Sequence, residues 1–356
     1  MIHGGDVYTH GFMEGRKIID FSSNINPLGV PKSFIEHLNE GLESLVRYPD
    51  INYRRLKNSL SNYLNVKEDK ILLGNGAAEL LDLSISLLKS VTLLVPSFAE
   101  YELSAKKHNV SLSYVYFKEE KLKEEKSHRF YVDYDEVLEG LKNTEGIIIA
   151  NPNNPNGSII DKDKFKIILD YAEAHDKIII IDEAFIEFTG SKTHSLCSFV
   201  DEYNCIFIVR ALTKFFGMPG IRLGYAVTSN VEFKNKILEK QNPWNINSFA
   251  EVAGTYVLWD NEYIEKSLIW VQSEKSYMDK VLKEIDFIEK VYITYGNFVL
   301  VKLKGLTAEE LYEKMLKNDI LIRRADNYKG LDNHYVRFAV KDRENNEILI
   351  NTLKSL

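Results

Sequence analysis

The sequence has two cysteines in 356 residues, Cys197 and Cys205. That is too few for a disulfide framework, and neither stands in a metal-ligand spacing. A reducing compartment fits this usage, and a cytoplasmic protein is expected. Eight histidines are scattered without a His-Glu-x-x-His arrangement, so no metal site is expected. No basic cluster occurs, and a formal net charge of -7 with a pI near 5.7 argues against a nucleic-acid surface. No run approaches the roughly 18 apolar residues of a membrane span. The opening Met-Ile-His-Gly-Gly-Asp lacks the basic-then-apolar order of an export signal. There is no internal repeat and no low-complexity segment. A soluble, unexported chain that binds neither nucleic acid nor membrane is expected.

Hydrophobic residues make up 45% and charged residues 27%, ordinary globular values that exclude disorder and coiled coil. The length supports two or three domains. From Asp135 to Tyr225 helical segments alternate with buried strand-like runs, the pattern of a parallel sheet covered on both faces.

Three of these runs end in chemically suggestive residues. Cys205-Ile-Phe-Ile-Val-Arg210 leads to Lys214, and Arg222 follows in a Gly-Ile-Arg-Leu-Gly frame. A lone lysine after a strand is most often a surface residue. A lysine held at a buried strand end is costly unless its charge is used, and a Schiff base with an aldehyde uses it, with the arginine free to neutralise a phosphate. Pyridoxal phosphate supplies both aldehyde and phosphate. The second run, Lys177-Ile-Ile-Ile-Ile-Asp182, ends in a carboxylate where open α/β sheets place ligands. Such an aspartate either caps a following helix or holds a pyridine nitrogen protonated. The third, Gly146-Ile-Ile-Ile-Ala150, enters the turn Asn151-Pro-Asn-Asn-Pro-Asn-Gly157.

Elsewhere, Ile71-Leu-Leu-Gly-Asn-Gly-Ala-Ala-Glu-Leu80 reads as strand, glycine turn and helix start, a place where backbone N–H groups at Gly76, Ala77 and Ala78 could hold an anion. Helices are expected over 34–45, 54–64, 230–240, 262–288 and 307–316. Strands are expected near Val291 and over 297–301, 320–324 and 335–339. The charge run between Phe117 and Arg129 reads as a solvated loop or helix edge. Arg323 and Arg337, each inside a short strand, suit a substrate with two anionic groups.

The order of Asn, Asp, Lys and Arg resembles the fold-type I pyridoxal-phosphate enzymes, the aspartate aminotransferase superfamily. Within it the chain resembles the histidinol-phosphate aminotransferase branch, and more closely its sister group, the L-threonine-O-3-phosphate decarboxylases of cobalamin biosynthesis. The likeness rests on His3-Gly-Gly5, Ser22-x-Asn-Ile-Asn-Pro-Leu-Gly29, Arg47-Tyr-Pro-Asp50, Asp182-Glu-Ala-Phe-Ile-Glu-Phe188, Leu212-Thr-Lys-Phe215, Pro243-Trp244 and Asn327-Tyr-x-Gly-Leu331. It implies an α/β architecture with an N-terminal arm (1–31), a large domain with a mainly parallel sheet (32–246) and a smaller C-terminal α/β domain (247–356). It implies pyridoxal 5'-phosphate bound to Lys214, with Asp182 on the pyridinium, Asn154 on the phenolic oxygen and Phe98 stacked on the ring. Gly76, Ala77, Thr213 and Arg222 would hold the phosphate, helped by Tyr53 from the other subunit of a homodimer. His3, Asn24, Asn154, Arg323 and Arg337 would bind a phosphorylated amino acid. Decarboxylation of threonine phosphate is the expected reaction, with histidinol-phosphate transamination as the alternative and a non-catalytic regulator as a remote one. The chain departs from its relatives at Ala77-Ala78, which lack side-chain donors, and at Asn156, where threonine is common.

Overall fold

A computed structural model describes residues 4–356. The isoleucine runs assemble side by side. Seven strands form one sheet in the order Ile71–Asn75, Leu223–Val227, Ile206–Ala211, Ile178–Asp182, Gly146–Ala150, Ser90–Val95 and Ser111–Tyr116. Every pairing from Ile206–Ala211 outward to Ser111–Tyr116 is parallel, and Leu223–Val227 alone is antiparallel to its neighbours. The mainly parallel sheet expected from the sequence is present.

Alternation explains why these strands carry unbroken apolar runs. Ile147, Ile149, Ile179, Ile181, Ile206 and Ile208 pack into one core, while Ile148, Ile180, Phe207 and Val209 pack into another across the sheet. Both faces are buried, so no position can be polar without cost. Helices Tyr134–Lys142 and Lys162–Ala174 cover the first face, and Ala77–Ile85, Ala99–Lys107 and Val231–Lys240 the second. Asp133, Asp161 and Asn230 cap three of them by accepting from N–H groups of the first turn.

A second sheet runs Arg323–Arg324, Tyr335–Ala339, Phe298–Leu303, Ile288–Tyr292, Ser127–Tyr131, Lys118–Lys121. Its last two strands correct the reading of the charge run, which forms an antiparallel hairpin. Ser127–Tyr131 then pairs in parallel with Ile288–Tyr292, so this sheet draws strands from two distant parts of the chain. The signal was hidden because Lys118–Lys121 is an edge strand whose side chains reach solvent, where charge discourages further pairing.

Other boundaries shift modestly. The segment expected as one helix over 34–45 divides at His37 into Lys32–Glu36 and Leu38–Ser44. The long helix is Asn261–Lys283, and the chain is already a strand at Ile288. The run 320–324 splits: Ile320–Leu321 pairs with Ile19–Asp20, and Arg323–Arg324 with the strand Tyr335–Ala339. That first pairing continues as Phe21 N–H donates to Leu321 O and Ala339 N–H to Phe21 O. The arm is thereby tied to the C-terminal strands, which brings Ser22, Ser23 and Asn24 to the carboxyl ends of the large sheet.

Candidate active site

The carboxyl ends of parallel strands are where this architecture can hold a ligand. A cavity of about 330 Å³ opens there, and Lys214, Asp182, Asn154, Arg222, Arg323 and Arg337 all line it. Residues separated by more than 180 positions in sequence meet because Asp182 ends its strand, Asn154 and Lys214 follow strand ends, Arg222 immediately precedes the strand Leu223–Val227, and Arg323 and Arg337 lie on paired strands of the second sheet.

Lys214 sits three residues beyond the strand Ile206–Ala211, half-buried, with Nζ 5.9 Å from the centre of the Phe185 ring. Burial and the Arg337 guanidinium pull its amine down to about 8, against the opposing pull of the Asp20 and Asp182 carboxylates. A lysine in that state is a usable nucleophile near neutral pH.

Asp182 ends its strand and is 8% exposed. Its Oδ1 accepts from Ala184 N–H at 2.9 Å and its Oδ2 from the Tyr101 hydroxyl at 2.6 Å. Burial pushes the carboxyl up, while those two hydrogen bonds and the charge of Lys214 restrain it. Both ring-side roles expected of Asp182 and Phe98 are geometrically open, since each lines the cavity.

At the other end, Arg222 takes the left-handed conformation at φ 57° and lays its guanidinium on Gly76, where φ is 79°. A Cβ on Gly76 would lie 2.2 Å from Arg222 Nη2, and one on Gly224 would lie 2.3 Å from Ala77 N. Glycine is required at both. The helix Ala77–Ile85 starts here with no side-chain cap, and Ala77 and Ala78, in the first turn whose amides a helix leaves without an intrahelical partner, line the cavity. Gly76 itself departs from expectation. Its N–H is spent on Gly74 O at 2.7 Å, so it shapes the cup without donating to it. Thr213 lies in the cavity wall nearby.

The arginine-lined end is built on register. Arg323 and Arg337 are direct partners on antiparallel strands, so both project from one face, and they are 3% and 4% exposed. Arg337 Nη1 donates to Asn154 Oδ1 at 2.5 Å and Nη2 to Ser22 O at 2.7 Å. Among the described residues its buried Nε has no partner, and neither does the buried Oδ1 of Asn24. Arg323 donates to Asn327 Oδ1 at 2.8 Å, with its guanidinium 5.0 Å from the Tyr328 ring centre.

Two of the expected site residues fall outside the described cavity wall. Tyr53 is 6% exposed inside its own subunit, outside the cavity, and its hydroxyl accepts the Ile246 N–H at 3.1 Å and donates to Asn245 Oδ1 at 3.4 Å. Within one subunit that hydroxyl holds the backbone of the segment before the helix Ser248–Tyr256. His3 lies outside the described residues. Conversely, Tyr101 and Tyr328 line the cavity without having been singled out. Tyr101 follows Phe98 by three positions at a helix start, a spacing that puts two aromatic rings on one face. Tyr328 stood inside a noted motif but carried no charge to mark it.

A family model described as aminotransferase class I and II matches residues 16–353. The chain belongs to that family. A protein of Caldanaerobacter subterraneus subsp. tengcongensis, provisionally named threonine-phosphate decarboxylase, is 42% identical over 99% of this chain and 93% of its own length. The threonine-phosphate decarboxylase of Salmonella typhimurium is 30% identical over 99% of this chain and 96% of its own. A crystal structure described as the histidinol-phosphate aminotransferase from Clostridium acetobutylicum is 48% identical, with TM-score 0.90 over 94% of this chain and 98% of that one.

Proposed function

We propose that this family member is a pyridoxal-phosphate-dependent decarboxylase of L-threonine O-3-phosphate, releasing carbon dioxide and (R)-1-amino-2-propanol O-2-phosphate. The observation that carries the reading is full-length similarity to two relatives that bear this name. The site fits the cofactor. The glycine-lined cup under Arg222, the depressed amine of Lys214 and the buried carboxylate of Asp182 offer a partner for phosphate, aldehyde and ring nitrogen in turn.

When bound, pyridoxal phosphate supplies the aldehyde that takes the substrate amine and the ring that accepts an electron pair from a bond at the substrate α-carbon. The residues decide which bond that is. Arg323 and Arg337 offer two guanidiniums to an anionic substrate, with Asn24 and the arm closing the same wall. Gripping the phosphate there can turn the carboxylate out of the ring plane, and orientation of this kind is worth several kcal/mol. Lys214 Nζ, with its pKa near 8, can then hand a proton to the α-carbon that carbon dioxide has left.

A homodimer is part of this reading, supported by a strip of exposed apolar side chains, Ile35, Leu42, Leu45, Val46, Tyr48 and Ile51, on the N-terminal helices and the turn after them. The cytoplasm is the proposed compartment, in keeping with two unpaired cysteines.

The 48% identity to a structure described as a histidinol-phosphate aminotransferase favours transamination as a second reading. Incubation of the loaded protein with threonine phosphate and, separately, histidinol phosphate separates the two. Carbon dioxide and a phosphorylated amino alcohol, with the cofactor left as pyridoxal phosphate, support decarboxylation. Conversion of the cofactor to its pyridoxamine form by histidinol phosphate, with no carbon dioxide from threonine phosphate, selects the aminotransferase.

A further inference from the structure

The carboxylate of Asp182 is held from two directions. The Ala184 N–H on Oδ1 is local to the turn after the strand, at 2.9 Å, whereas the Tyr101 hydroxyl on Oδ2, at 2.6 Å, crosses from the helix Ala99–Lys107. Tyr101 is 1% exposed. A buried phenol needs an acceptor, but any carbonyl would serve; here it meets a carboxylate, giving a charge-assisted bond about twice as strong as a neutral one. The same ring packs edge-on against Phe98, with centroids 5.8 Å apart and planes at 85°. Tyr101 therefore touches both side chains that face the ring position of the cavity.

We infer that Tyr101 is a positioning residue whose hydroxyl fixes the plane of the Asp182 carboxylate and keeps it ionised, aiming a remaining lone pair at the ring nitrogen of a bound pyridine cofactor. The inference rests on the cofactor reading above. Two donors on two oxygens stop rotation of the carboxylate, and each oxygen keeps a second acceptor site. Burial disfavours the charged form of Asp182, and a hydrogen bond to that form restores it. Lys214 also favours the charge and neighbouring Glu183 opposes it. Lys214, however, is the amine that the proposed chemistry commits to the aldehyde, which leaves Tyr101 and the Ala184 amide as the permanent donors.

The test titrates empty protein with pyridoxal phosphate and with its 1-deaza analogue, in which carbon replaces the ring nitrogen, following intrinsic fluorescence. Tyr101→Phe keeps every carbon of the side chain. It is expected to weaken pyridoxal phosphate on the order of tenfold or more and to leave the deaza analogue unchanged. The selectivity between the two ligands is read within one variant, so general loosening of the cavity cancels. In an Asp182→Asn background the same change should cost no further selectivity. Equal loss with both ligands would make Tyr101 mere packing for Phe98, and no loss with either would remove it from the site; each result overturns the inference. Failure of the unaltered protein to bind pyridoxal phosphate is a different outcome, which overturns the cofactor reading itself.

Discussion

Arg222 rests on the bare backbone of Gly76, so close that a Cβ there would come within 2.2 Å of Nη2. Gly76 also holds φ 79° and ψ 161°, a region open in practice to glycine alone. Gly76→Ala should therefore displace the guanidinium and strain the helix start by about 1–3 kcal/mol. The expected result is a lower melting temperature and at least about tenfold weaker binding of pyridoxal phosphate, from loss of a charge-assisted contact. Binding of pyridoxal, which has no phosphate, should change little. Equal losses for the two ligands would take Arg222 out of phosphate binding.

Lys214 gives a pH prediction. With its pKa near 8, roughly one amine in ten is neutral at pH 7, against about one in three thousand for an ordinary lysine. Capture of pyridoxal phosphate by the empty protein should accelerate with pH and level off above about 8. Arg337 is the neighbouring charge that depresses this amine most, so Arg337→Gln should raise the pKa and move the inflection to higher pH. Arg337→Lys, which keeps the charge, should move it less. Stopped-flow absorbance across pH 6–10 checks this, and an inflection that stays put in Arg337→Gln contradicts it.

What could be read from the sequence follows from where information is stored. Ile178–Asp182 and Ile206–Ala211 are buried on both faces, and such strands are written as continuous apolar runs, so the sheet and the placement of Asp182 and Lys214 at its carboxyl ends were legible. Arg323 and Arg337 were visible as charges in apolar surroundings, but their direct pairing is a matter of register between two strands and lies in no local pattern. The hairpin Lys118–Tyr131 was missed because edge strands tolerate charge, which erases the apolar signature. Tyr101 was missed because its role depends on an acceptor 81 residues away.

Tyr53, expected from the sequence to reach the cofactor phosphate of a second subunit, has a structural task within its own. It caps the helix Arg54–Leu64 in a left-handed conformation, φ 49°, and its hydroxyl takes the Ile246 N–H. Tyr53→Phe leaves that buried amide without an acceptor, which costs about 1–3 kcal/mol. The expected phenotype is lost stability in urea unfolding with the affinity for pyridoxal phosphate unchanged. Weaker cofactor binding at unchanged stability would instead assign Tyr53 to the phosphate site.

Glu187 ties stability to pH. It lies in the 3₁₀ turn Ile186–Thr189, its side chain 7% exposed and 3.5 Å from Arg210 Nη1, while Arg210 makes shorter bonds to the other carboxylate, Glu183, at 2.8 and 3.0 Å. Among the described residues, Glu187 Oε2 is buried without a partner. Burial pushes the carboxyl up from 4.5 to about 7, with Arg210 limiting the rise. The sign follows from proton counting. Between pH 4.5 and about 7 the folded chain keeps a proton that the unfolded chain has lost, so this group makes stability fall as pH rises through that window. Glu187→Gln has no proton to lose and still fills the space. Relative to the unaltered protein it should gain up to about 3 kcal/mol between pH 5 and pH 8, with the gain complete once the pH passes the folded-state pKa. Urea unfolding at four pH values across that range measures the difference. A gap that does not change with pH, or one that favours glutamate as the pH rises, would mean that Arg210 keeps Glu187 ionised in the folded protein.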